Sequence, residues 1–147
     1  MDYWIKNYSG TMYWKNVKLF EFSIVNRQLV HFKQFTDEHL IWTLVNREPG
    51  YWEINFFLMS RLKEENSMFI KEFLEAYYLD TYDAEEISKR ANGNNRLDCY
   101  WVQYQNFGPQ TWEELQKVKE PYWKTGRLED YYHPVYENII YKGIIKE

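Results

Sequence analysis

A single cysteine, Cys99, among 147 residues leaves no partner for an intramolecular disulfide and removes the usual ligand set of a cysteine-built metal site. Apolar burial alone must hold the core, and a reducing cytoplasm is the expected setting. No run reaches the roughly 18 consecutive apolar residues of a membrane span. The opening MDYWIKNYSG lacks the basic-then-apolar pattern of a secretion signal, so no membrane association is expected and the sequon Asn7-Tyr8-Ser9 has no consequence. Basic residues are too few for strong binding to phosphate backbones: 18 Lys and Arg face 22 Asp and Glu, a net charge of −4. The six glycines build no phosphate loop, because Gly93-Asn94-Asn95 lacks the flanking glycines of a P-loop or a dinucleotide fingerprint. His31, His39 and His133 are far apart, HExxH and G-x-S-x-G are absent, and Cys99 reads as a small buried hydrophobe. We therefore expect no metal, no cofactor and no enzymatic activity. A catalytic set scattered through the chain is the minority alternative.

What the chain has is aromatic. Its hydrophobic content of 45% suffices for one domain spanning 1–147, and aromatics make up 20%, with 14 tyrosines outnumbering every aliphatic type. The organising stretch runs from Phe56 to Tyr104. Met68, Phe69, Phe73 and Tyr77, widened by Ile70 and Leu74, form an apolar helical stripe opposite Lys71, Glu72 and Glu75, with Asn66 or Ser67 as its cap. Asp83 and Glu86 form a capping-box variant ahead of Ala84, Ile87 and Ala91, and Asn92-Gly93 ends that helix. Asp98 to Val102 reads as extended chain re-entering the core.

Upstream, 1–35 reads as an antiparallel meander: Tyr3-Trp4-Ile5, Thr11 to Trp14, Val17 to Val25, and Leu29 to Phe35, with turns at Lys15-Asn16 and Asn26-Arg27. Alternation puts Lys18, Phe20, Phe22 and Ile24 on one face and Val17, Leu19 and Glu21 on the other. Thr36-Asp37-Glu38 opens an expected helix through Leu40, Ile41, Leu44 and Val45, broken at Glu48-Pro49-Gly50. Trp52, Phe56 and Met59 mark another. Thr111 to Glu114 is a capping box opening a short helix through Leu115 and Val118, ended by Pro121. The predicted fold is α+β: an N-terminal antiparallel β-meander covered by three or four short helices, with an aromatic C-terminal tail. Its parts are the meander at 1–35, a helical part at 36–118 with a strand near 98–104, and the tail at 119–147. The tail is too apolar to be a solvated one, and its open roles are a closing strand, packing across the domain, or a homodimer contact.

Several of these segments carry a resemblance. Arg61-Leu-Lys-Glu-Glu-Asn66, the apolar helix, Leu79-Asp-Thr-Tyr-Asp83, Ile87, Gly93-Asn-Asn, Leu97-Asp98-Cys-Tyr100-Trp101-Val102 and Thr111-Trp112-Glu113 resemble the region preceding the kinase domain in HipA-like proteins of low-GC Gram-positive bacteria. Similar stand-alone small proteins occur there and on mobile elements. The resemblance covers residues 11 to 115. Phosphate-binding and catalytic features of a kinase are absent downstream, so it implies an accessory module without kinase activity.

The binding signal lies between Glu72 and Glu86, where Glu72, Glu75, Asp80, Asp83, Glu85 and Glu86 occur without one Lys or Arg and are interleaved with Tyr77, Tyr78 and Tyr82. A solvated face would also explain these carboxylates. We take Glu72, Glu75, Tyr78, Asp80, Tyr82, Asp83, Glu85 and Glu86 as the candidate partner-binding residues, able to dock on a basic protein surface. Lys89, Arg90 and Arg96 form a small basic counter-patch. The expected function is a non-catalytic protein-binding module that regulates or inhibits its partner by occupying its surface. One expected partner is a nucleic-acid-binding enzyme such as a host defence nuclease, in an anti-CRISPR-like manner. The alternative is a HipA-like kinase, regulated in an accessory or antitoxin-like manner through residues 98 to 102.

Overall fold

The structure, a computed structural model, describes residues 4–62, 64–68, 70–94, 98–104 and 109–117. The tail at 119–147 lies outside them. Strands β1 (Tyr8–Trp14), β2 (Val17–Val25) and β3 (Gln28–Gln34) pair antiparallel in chain order, and β4 (Tyr100–Gln103) returns to pair with β1, so the sheet runs β3-β2-β1-β4. Helices α1 (Tyr51–Met59), α2 (Ile70–Ala76), α3 (Ala84–Arg90) and α4 (Trp112–Lys117) complete an α+β fold. Asn26 and Arg27 both take positive φ, which suits the right-handed twist of the β2–β3 hairpin.

A bulge changes the facing of β2. Met12 pairs with Phe20 and Tyr13 with Lys18, leaving Leu19 as an extra residue that inverts the alternation. Val17 and Leu19 therefore join Phe20, Phe22 and Ile24 on the core side. Lys18, expected on that face, is exposed and holds its Nζ 4.5 Å from the Phe35 ring centroid.

The strand expected at Tyr3-Trp4-Ile5 does not form over its described residues, Trp4 and Ile5. Fully buried Ile5 instead donates its N–H to Asn55 Oδ1 (2.9 Å) and accepts from Tyr51 Oη (2.7 Å), so side chains of α1 satisfy the backbone groups that a strand neighbour would have taken. The helix expected from Thr36 is likewise only a 3-10 turn at Trp42–Leu44. His39 takes a left-handed φ of 54°, its ring stacks on Trp14 (3.8 Å, 3°), and its carbonyl accepts from Tyr100 Oη (2.8 Å). These tertiary contacts outweigh local helix propensity. Met68, expected in the stripe of α2, lies outside the helix and is 74% exposed, and the Ser67 hydroxyl donates to the Glu64 carbonyl.

The core lies between the sheet and α1, with Met12, Phe20, Phe22, Ile24, Ile54, Phe57, Leu58 and Val102 buried together. Tyr8 sits in this core with its hydroxyl directed at the Ser88 carbonyl (3.5 Å). Burial, which outweighs the opposing hydrogen bond to Ser88, raises its pKa well above the usual tyrosine value. Above about pH 10 the unfolded chain loses that proton while the folded chain keeps it, so stability falls by up to ~1.4 kcal/mol per pH unit from this group. Tyr8→Phe should make the alkaline limb of a pH-stability profile less steep. An unchanged slope would remove Tyr8 as its source.

Candidate partner-binding site

The candidate acidic residues gather around the corner between α2 and α3. Helix α2 ends where Tyr78 adopts a left-handed φ of 59°. Tyr77 is thereby buried, edge-on to Phe73 at 5.0 Å, while Tyr78 is exposed. Arg90 fastens the corner: Nη1 donates to the Tyr77 and Tyr78 carbonyls, and Nε and Nη2 donate to Glu86 Oε1. A guanidinium at a helix C-terminus complements the partial negative charge there.

Seven of the eight candidate residues divide into two groups. Asp83 caps α3, with Oδ1 accepting from Glu86 N (3.1 Å). Glu85 binds Lys89 Nζ (3.1 Å) through one oxygen, and through the other accepts from the backbone N–H groups of Lys6 (2.6 Å) and Asn7 (3.0 Å). Glu86 pairs with Arg90. These three serve the fold. Glu75, Tyr78 and Asp80 are exposed to solvent and Tyr82 is half-buried. The side chain of Glu72 lies outside the described set. Asp83→Ala should cost about 1 kcal/mol, the usual value of an N-cap, read as a shifted denaturant midpoint. An unchanged midpoint would deny the cap its role.

The expected basic counter-patch is corrected. Lys89 is buried rather than surface-exposed, with Nζ 5.8 Å from the Tyr8 ring and 5.4 Å from that of Tyr104. Burial pushes its pKa down, but the hydrogen bond and charge of Glu85 more than offset this, leaving it above the ordinary lysine value. Arg96 lies outside the described residues.

Sequence reasoning missed a cavity beside the corner. Met59, Leu62, Glu64, Glu65, Asn66 and Tyr82 line a space of about 360 Å3. Glu64 and Glu65 are exposed, whereas Met59 and Leu62 are half-buried. The pair was not conspicuous in sequence because Arg61 and Lys63 neutralise that run, and the bend after α1 that brings it near Tyr82 leaves no periodic trace.

Residues 98 to 102 re-enter the core as expected, running from exposed Asp98 into β4. The Arg61 side chain, 6% exposed, donates to both Asp98 carboxylate oxygens (2.8 and 2.5 Å), to the Gly93 carbonyl (2.8 Å) and to the Tyr100 carbonyl (3.2 Å). Asn92 accepts from Val102 N–H through its carbonyl (2.7 Å) and donates Nδ2 to the Val102 carbonyl (3.1 Å), closing the edge of β4. Trp101 and Val102 are fully buried. Gly93, at φ +60°, completes a Schellman ending by donating to the Ser88 carbonyl (2.8 Å), and a Cβ there would meet Val102 Cγ2 at 2.9 Å.

Elsewhere Trp52 and Phe56 stand outward from α1, 48% and 49% exposed, with Trp4 edge-on to Trp52 at 4.4 Å. Cys99 is half-buried. Among the described residues no three His, Cys, Asp or Glu side chains are placed to hold a metal ion, and no helix is long and apolar enough to cross a membrane. Comparison with protein-family models, curated proteins and solved structures returns no match.

Proposed function

We propose that this chain is a non-catalytic protein-binding module that regulates or inhibits its partner by occupying a basic surface. The carrying observation is the exposed group Glu75, Tyr78 and Asp80 at the α2–α3 corner, continued by Tyr82 into the cavity bordered by Glu64 and Glu65. Carboxylates of one sign steer a cationic surface at long range, while tyrosines add contact area at small entropic cost. Against a nucleic-acid-binding enzyme, such as a defence nuclease, the module acts by steric and electrostatic competition with the anionic substrate. An accessory role beside a HipA-like kinase is the second reading. It is favoured by the convergence of two resembling segments, Arg61 and Asp98–Tyr100, on one guanidinium, which fits a shared structural unit.

The test uses the intact tagged chain and a Glu75→Lys/Asp80→Lys variant, which leaves the Asp83 cap and the Glu85–Lys89 and Glu86–Arg90 pairs in place. Capture from a bacterial lysate should retain one stoichiometric protein at ~0.05 M salt, lose most of it at ~0.5 M, and lose it with the variant. Retention of the same protein by wild type and variant at equal affinity would reject the acidic corner as the contact.

A further inference from the structure

We propose that a small cavity where α1, α2 and α3 meet is the binding site of one internal water molecule, held by the hydroxyl of Ser88. Ser88 lies on the inner stripe of α3 with Ala84, Ile87 and Ala91, the i, i+3, i+4, i+7 spacing of a core-facing helix. It is fully buried, and its Oγ has no hydrogen-bond partner among the described residues. The carbonyl of the same residue, by contrast, accepts from both Tyr8 Oη and the Gly93 N–H. A buried hydroxyl left unpaired costs its full desolvation, so a native chain supplies it with a partner. Ile87, Ser88 and Ala91 line a cavity of about 20 Å3 together with Leu58, Phe73 and Arg61.

The lining and its size select the occupant. A water needs two or more polar partners, and the Ser88 hydroxyl offers both a donor and an acceptor. Arg61, with its side chain 6% exposed, is a second polar member of the lining. Its Nη1 donates to Asp98 Oδ2 and carries a second N–H for which a water can act as acceptor. A cavity needs roughly 10–15 Å3 to admit one water, so this one takes a single molecule and no organic ligand. A cation would face the guanidinium. An anion would be buried against Leu58, Phe73 and Ile87 beside a guanidinium already paired with Asp98. Bridging Ser88 to Arg61, the water ties α3 to the segment that follows α1, behind the α2–α3 corner.

The intact chain is crystallised, and its internal waters are counted in solution by magnetic relaxation dispersion of the water oxygen, which is blind to exchanging hydroxyl protons. One ordered oxygen within ~3.2 Å of Ser88 Oγ is expected. Ser88→Ala, shown by circular dichroism to be folded, should lose dispersion amplitude equal to one water. A wild-type cavity without density would overturn the proposal, as would an amplitude that Ser88→Ala leaves unchanged. Density that persists in the Ser88→Ala crystal would place the water on other groups and equally remove Ser88 as its anchor.

Discussion

Arg61→Ala is expected to destabilise the chain by roughly 2–4 kcal/mol, because it strips buried carbonyls of a charged donor and removes packing, while the half-exposed pair to Asp98 adds only a surface-scale amount. The guanidinium joins three parts of the chain: it follows α1, holds Asp98 in a two-point clasp, and donates to the carbonyls of Gly93 and Tyr100. It also lies 4.8 Å from the Phe57 ring, so truncation loses packing as well as charge. Alanine leaves the Gly93 carbonyl without this donor, with Gly93 itself buried. Arg61→Lys should recover only part of the loss, because an ammonium cannot reproduce the planar fork. Asp98→Ala should cost less than Arg61→Ala, since its side chain is 40% exposed and solvent screens the pair. Equilibrium denaturation of the three variants checks the order. A loss below ~1 kcal/mol for Arg61→Ala would show that the clasp contributes only what a surface pair does.

Trp101→Ala should cost a further large amount, about 3–5 kcal/mol, as for other fully buried large aromatics. Alternation along β4 points Val102 into the main core and Trp101 to the opposite side of the sheet. There the indole stacks on its register partner Tyr13 at 4.9 Å and donates Nε1–H to the Lys15 carbonyl (2.7 Å). Trp101→Phe should keep part of the stacking and lose the hydrogen bond, giving an intermediate midpoint. This bears on the kinase-regulator reading, under which changes at residues 98 to 102 abolish activity by removing a docking surface. With Trp101 inaccessible, any such loss should track the fraction unfolded. A Trp101→Ala chain that melts like wild type would contradict the packing.

Much of the fold was legible because local rules and tertiary demands agreed. The hairpin turns at Lys15-Asn16 and Asn26-Arg27, the cap at Asp83 and the stop at Asn92-Gly93 each rest on backbone chemistry acting within a few residues. Reading failed where distant groups intervened. Leu19 became a bulge, and two-residue alternation carries no marker for one extra residue. His39 left its expected helix for Trp14 and Tyr100, and Ile5 found its hydrogen bonds on α1, 50 residues away.

The candidate site shows the same division. Sequence by itself determined that acidic and tyrosine side chains would concentrate between Glu72 and Glu86, because composition is independent of folding. Only the tertiary structure decided their assignments. Charge pairing at helical spacing drew Glu85 and Glu86 to Lys89 and Arg90, and the left-handed turn at Tyr78 separated buried Tyr77 from exposed Tyr78. The bend after α1 brought Glu64 and Glu65 to a cavity shared with Tyr82. A carboxylate's availability depends on which cation or N–H group the fold places within hydrogen-bonding distance, and that neighbour is set by packing rather than by position in the chain.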